Sequence, residues 1–146
     1  MKEITRQGAI ENNIIRFLVN QKPPCVDNMG NCIYLDSKGN RCGIGSLLSL
    51  KAITHYKNMT MISVTDLLQR SVGATKEIGH LEEGFLEDLQ AVHDTAAIES
   101  LHRTIKDFRI LFATKMESFI HREELPIPNA LTDYLAGEEY RERTNI

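Results

Sequence analysis

The sequence predicts an α+β fold, a mainly helical single domain of four or five helices with one β-hairpin inserted around residues 32–44. Three observations carry this. Apolar residues recur at three- and four-residue steps through both ends of the chain. Two Asp-x-x-Gly-Asn turns stand nine residues apart near its first third, and short extended runs flank the second of them.

The first helix is expected from Ile4 to Asn20, because Ile10, Ile14, Phe17 and Leu18 fall on one helical face. Lys22-Pro23-Pro24 ends it, since proline has no N–H and pushes its predecessor out of the helical region. Asp27-Asn28-Met29-Gly30-Asn31 and Asp36-Ser37-Lys38-Gly39-Asn40 then read as turns, with Asp bonding the backbone two residues on and Gly accepting positive φ. Neither has oxygen ligands at every second position or the closing glutamate of a calcium loop. Cys32-Ile33-Tyr34-Leu35 and Arg41-Cys42-Gly43-Ile44 around the second turn predict the two-stranded hairpin.

Ser46 is placed to cap a helix through Leu47, Leu48, Leu50 and Ile53 that Asn58-Met59-Thr60 interrupts. Ser63 starts another, with Val64, Leu67 and Leu68 on one side, and residues 73–79 read as a loop between glycines. Glu82 to His93 carries Phe85, Leu86, Leu89, Val92 and His93 on one face, and its acidic first turn suits the positive end of the helix dipole. The longest helix is expected from Ile98 to His121, where Leu101, Ile105, Phe108, Phe112, Met116 and Phe119 form the main core wall. Pro126 and Pro128 stop it, and Asn129 or Thr132 begins a last short helix holding Leu131, Tyr134 and Leu135. Residues 1–136 read as the globular domain, and 137–146 as a charged, flexible tail.

Composition narrows the function classes. The chain has 146 residues, 42% apolar and 25% charged, and holds no apolar run of the roughly 20 residues that cross a bilayer. No secretion signal opens it, so the expected location is the cytoplasm. Cys25, Cys32 and Cys42 make an odd count without an export signal and read as reduced thiols. A net charge of −3 argues against the basic stripe that nucleic-acid binding needs.

Four constellations carry candidate chemistry. Cys42, with His93 as base and Asp94, has the residue types of a cysteine hydrolase, but no oxyanion donor or nucleophile signature accompanies them. His93 lies on an apolar stripe, where a buried, hydrogen-bonded imidazole is the simpler reading. Cys25, Cys32 and Cys42, with His55, would supply soft ligands for zinc, yet their separations of seven and ten residues are not the short pairs of a half-site. Gly43-Ile44-Gly45-Ser46 leaves an extended run for a helix, where backbone N–H groups can cradle an anion or nucleotide phosphate, without a Walker or Gly-x-Gly-x-x-Gly pattern. Lys51, His55 and Lys57 read as a solvated face, and His80, His102 and His121 receive no role.

The run Cys32-x-Tyr34, Gly39, Cys42-Gly43-Ile44-Gly45-x-Leu47-Leu48, followed by Leu89-Gln90-Ala91-Val92-His93-Asp94, resembles a family of small uncharacterised proteins of bacteriophages and prophages. The likeness spans roughly residues 10–120. Gly43 stands where that family usually has alanine, and Ser46 where it has a second cysteine, which argues against a thiol-pair or metal role. The resemblance implies a phage-encoded accessory protein inside an infected bacterium. It also links the glycine turn to His93-Asp94, so contact between them is expected, with the imidazole bonding a carbonyl near Gly43 or Gly45 and Tyr34, Gly39, Cys42, His93 and Asp94 as framework.

The expected function is therefore a non-enzymatic protein that binds and inhibits or redirects a host bacterial protein. It is expected to use no cofactor and no membrane, and a homodimer is compatible with its long helices. The alternatives are an anion or nucleotide binder at Gly43–Ser46 and a Cys42/His93 hydrolase.

Overall fold

The computed structural model describes residues 3–143. Helix α1 (Arg6–Ile14) starts where the Thr5 hydroxyl accepts the Gly8 N–H, and it widens without a break into a π-helical turn, Ile15–Val19. Gln21, at φ 54°, ends it, with the Lys22 N–H donating back to the Arg16 carbonyl at 3.1 Å. After the two Asp loops come a 3₁₀ turn (Gly45–Leu47), α2 (Leu50–Ile53), a second 3₁₀ turn (Thr54–Tyr56), α3 (Val64–Arg70), α4 (Val72–Ile78), α5 (Glu83–Glu99), α6 (Ile105–Arg122), α7 (Asn129–Ala136) and α8 (Glu138–Arg141).

The α+β expectation is overturned: the described residues are helical, without a strand or a hairpin. What the hairpin signal marked is two successive loops, each closed by one isolated bridge, Val26 with Cys32 and Leu35 with Arg41. The reason lies in the turns themselves. Asp36 Oδ1 accepts the N–H groups of Lys38 (2.9 Å) and Asn40 (2.8 Å) while Oδ2 accepts the Asn40 amide, and Asp27 repeats this on Met29 and Asn31. Each loop is thus closed by its own side chain and needs no ladder. Residues 32–35 serve both loops as a shared arm, so its backbone groups are divided rather than paired along one neighbour: the Ile33 N–H goes to Cys25 and the Leu35 carbonyl to Asn58. Immediately after Arg41 the chain coils, the Ser46 N–H reaching the Cys42 carbonyl.

Three helices differ from expectation. Ser46 caps none: the chain makes a 3₁₀ turn at Gly45–Leu47, is extended at Leu48, and starts α2 only where the Ser49 hydroxyl accepts the Ala52 N–H. Residues 73–79 lie largely in α4, which Ser71 opens by accepting the Ala74 N–H. The long Ile98–His121 periodicity is divided by a turn at Ser100–Arg103 with His102 at φ 66°, because Thr104 and Asp107 form a reciprocal capping box that starts α6 afresh. The stretch from Gly137 carries α8 and the buried Tyr140; residues 144–146 lie outside the described residues.

Helices α5 and α6 pack along each other, and the π-turn and α7 lie against α6. The center of the core is aromatic: the Phe17 ring lies 5.1 Å from Phe112, 5.3 Å from His93 and 5.6 Å from Phe108. These rings, the buried Ile10, Ile14, Ile44, Leu86 and Leu89, and the fully buried Asn13 close over the segment that carries the candidate motif. Among the described residues no helix is long and apolar enough to cross a membrane.

Candidate functional site

The glycine turn and the His93 helix do meet, through a polar network laid across the core. Gln90 Oε1 accepts the Ile44 N–H at 2.7 Å, and Gln90 Nε2 donates to Asp94 Oδ1 at 2.9 Å and to the Cys32 sulfur. From the other side Asn13 Nδ2 donates to the Gly43 carbonyl at 3.1 Å and the Ala9 carbonyl at 3.2 Å. Gly45 lies so close under Tyr34 that a Cβ there would sit 2.2 Å from the Tyr34 carbonyl oxygen; only glycine fits this crossing.

His93 has no exposed surface. Its Nε2 accepts the Cys25 N–H at 3.0 Å, which puts the ring proton on Nδ1, and that proton is donated to Asp94 Oδ1 at 2.8 Å. The imidazole therefore bonds the amide of Cys25, and the carbonyls of Gly43 and Gly45 go to Asn13 and to Arg41. Both ring nitrogens are occupied, and neither faces Cys42. The Cys42 sulfur, itself buried, accepts the Gly45 N–H at 3.4 Å. Chemically, Cys42, His93 and Asp94 share a neighbourhood without the nucleophile–base hydrogen bond that a cysteine hydrolase requires.

The three thiols are free and close to one another. Burial pushes the Cys25 thiol up, with Cys42 beside it adding to the effect. A hydrogen bond with Cys42, then burial, pushes Cys32 up as well. Both stay protonated at neutral pH, the state least suited to metal ligation or nucleophilic attack. Among the described residues no group of His, Cys, Asp or Glu is arranged to hold a metal ion. His55 is exposed, its ring edge-on to Tyr56 at 5.1 Å.

At Gly43–Ser46 three of the four backbone amides that would cradle an anion are already engaged, and Gly43 itself is buried. The N–H of Ile44 is held by Gln90, that of Gly45 by the Cys42 sulfur, that of Ser46 by the Cys42 carbonyl and that of Leu47 by the Ile44 carbonyl. The Ser46 hydroxyl lies 2.7 Å from the Gly43 carbonyl and 3.0 Å from Asn12 Oδ1 on α1, its single proton shared between the two acceptors.

Sequence reasoning gave Gln90 and Asn13 no role, although both are central. Asn13 was visible as a polar residue between Ile10 and Ile14 on the apolar face, and Gln90 as one turn before Asp94. No protein-family model matches the chain, and neither does any curated protein or solved structure.

Proposed function

We propose that this chain is a non-enzymatic binding protein, an accessory factor that engages a host bacterial protein and inhibits or redirects it. The observation that carries the non-enzymatic part is His93: buried, aromatic-packed and hydrogen-bonded at both nitrogens, it fastens Cys25 and the Asp94–Gln90 pair to the core. A general base needs a free lone pair within reach of its substrate, and this one is held by a backbone amide. The host setting rests on the resemblance to phage and prophage proteins.

The test has two arms. With iodoacetamide on the native protein at neutral pH, Cys25 and Cys42 should react only as fast as the protein unfolds, whereas rapid stoichiometric labelling of Cys42 would point to a reactive thiolate and defeat the reading. The tagged protein, passed over bacterial lysate, should retain one stoichiometric partner, and Cys42→Ala should retain it equally. Recovery of no such partner would remove the case for a host target.

A further inference from the structure

The apolar face of α1 was legible from its periodicity; the opposite face holds a second pattern. Asn12, Arg16 and Asn20 follow one another at four-residue steps, and the π-helical turn Ile15–Val19 lies within that stripe. Together with Ile15, Lys22 and Ser46 they line a pocket of about 230 Å³. Its lining contains two cations, two amides and a hydroxyl, and no carboxylate.

Among the described residues neither cation is ion-paired, and the Arg16 guanidinium lies 5.8 Å from the center of the Phe17 ring. The Arg16 Nε is buried with no hydrogen-bond acceptor. Arg41 stands beside it, its own guanidinium turned to the carbonyls of Gly45 and Leu48. Burial, then the charge of Arg41, hold the Arg16 pKa below its ordinary value, so this guanidinium sits where its charge is poorly compensated. Asp36, the carboxylate that acts on it, is itself held by the backbone of its own loop. The helix end does not compensate fully either. The Ile15 and Arg16 carbonyls are taken by the N–H groups of Asn20 and Lys22. Asn12 is oriented by its Oδ1 accepting the Ser46 hydroxyl, which leaves its Nδ2 as a donor.

We propose that this pocket binds the phosphate group of a small phosphorylated molecule, clamped by Arg16 and Lys22 and oriented by the side-chain amides of Asn12 and Asn20. Donors on several sides and more than one cation match a tetrahedral dianion better than a planar monoanion, for which one guanidinium fork suffices. The volume lies below the roughly 300–1,000 Å³ of pockets that enclose a whole drug-sized ligand, so the phosphate enters and the rest of the molecule stays outside. The π-turn widens the helix at this pocket, a distortion that recurs at functional positions. Larger grooves do not offer this chemistry. The 510 Å³ groove between α5 and α6 sets Asp88 and Glu99 against Lys115 and Arg122, with Lys115 paired to Glu99; the 370 Å³ groove by α7 is lined by Asp133, Glu138 and Glu139, and the 430 Å³ groove at α8 by Glu138 and Glu142 beside Arg141.

The site differs from the anion cradle at Gly43–Ser46 that the sequence offers as an alternative, because side chains rather than backbone amides supply the donors. It is also independent of the partner reading, so a failed phosphate titration leaves the lysate experiment untouched.

The decisive experiment follows the arginine Nε–Hε signals of the ¹⁵N-labelled protein during titration with inorganic phosphate, ribose 5-phosphate and sodium chloride. Phosphate should shift the Arg16 signal saturably, and chloride at equal ionic strength should not. Arg16→Gln and Lys22→Gln should each weaken binding about tenfold, the scale of one charge-assisted contact. Arg6→Gln, whose native partner is Glu123, should leave it unchanged. Tighter binding of the sugar phosphate identifies an ester as the ligand, and equal affinity identifies the free ion; either supports the site. Absence of a saturable shift in the wild-type protein, an equal shift with chloride, or wild-type affinity in Arg16→Gln overturns it.

Discussion

Gly45 and Gly84 separate two reasons for glycine at the scale of single residues. At Gly45 the obstacle to a side chain is backbone, the Tyr34 carbonyl at 2.2 Å, and backbone on this crossing is pinned from both sides. Gly45→Ala is expected to destabilise by about 3 kcal/mol, the upper range for forcing extra atoms into a packed interior. At Gly84, in the first turn of α5, nothing lies within 4 Å of an added Cβ. Gly84→Ala should therefore stabilise, by up to about 1 kcal/mol through helix propensity. Urea titrations of the two variants check both signs at once. His93→Ala belongs with the first case: it leaves the buried Cys25 N–H without its acceptor, takes from Asp94 one of its two donors, and opens a cavity beside Phe17 and Phe108. A loss of about 3 kcal/mol is expected from the two terms together. A variant as stable as the parent would remove the framework role assigned to this imidazole.

The Asp loops show what a local sequence signal can and cannot specify at the scale of an element. Both turns were legible, Asp and Gly included, since Gly30 (φ 85°) and Gly39 (φ 83°) take the positive φ that the turn itself requires. The hairpin was not, because strand pairing is decided by what the arms meet elsewhere, and these arms meet α5, Asn58 and each other's loops. The helices divided similarly. The apolar period of α5 and α6 was plain, but that period runs on across the Ser100–Arg103 turn and so hides the break that the capping box at Thr104 makes. Of the site, the meeting of the glycine turn with the His93 helix was foreseen. The particular bonds were not, since which buried amide receives an imidazole depends on chain crossings that no spacing encodes.

The loops also predict a pH response. At Asp36 partial burial works to raise the pKa, and the hydrogen bonds from the Asn40 side chain, the Asn40 N–H and the Lys38 N–H outweigh it, so the net shift is downward. The folded form then binds its proton less readily than the unfolded chain. Stability from this carboxylate is fully present above the unfolded pKa near 3.9 and is lost as pH falls through the lower folded value. Asp36→Ala should cost about 1 kcal/mol at pH 7, where one net hydrogen bond sets the scale, and its deficit should shrink toward zero near pH 2. Urea midpoints from pH 7 to pH 2 measure this, and a deficit constant across the range would contradict it.

At the scale of the whole molecule, the C-terminal helices decide whether the fold closes on itself. Arg109 on α6 donates from Nε and Nη2 to the two oxygens of Glu139, at 2.9 and 2.6 Å, and the Tyr134 hydroxyl of α7 donates to the same carboxylate. Tyr140 lies buried beside this clamp, its hydroxyl bonded to Thr114 and its ring covered by Arg143 at 3.8 Å. A bidentate pair that is mostly shielded from water holds its geometry where an exposed pair would not. The Arg109 hydrogen bonds, working against partial burial, hold the Glu139 carboxyl below its ordinary range. Its stabilising contribution is therefore present above the unfolded pKa near 4.3 and falls away on acidification through the folded value. Glu139→Gln keeps the shape but removes the charge and presents an amide to the guanidinium. Its effect should be concentrated at one end of the molecule: amide exchange in α7 and α8 should accelerate at least about tenfold, while the α5 amides around His93 keep the protection set by global unfolding. Exchange rising equally in α5 would mean that the clamp is part of the central cooperative unit. In that case the C-terminal pair and the His93 network would stand or fall together.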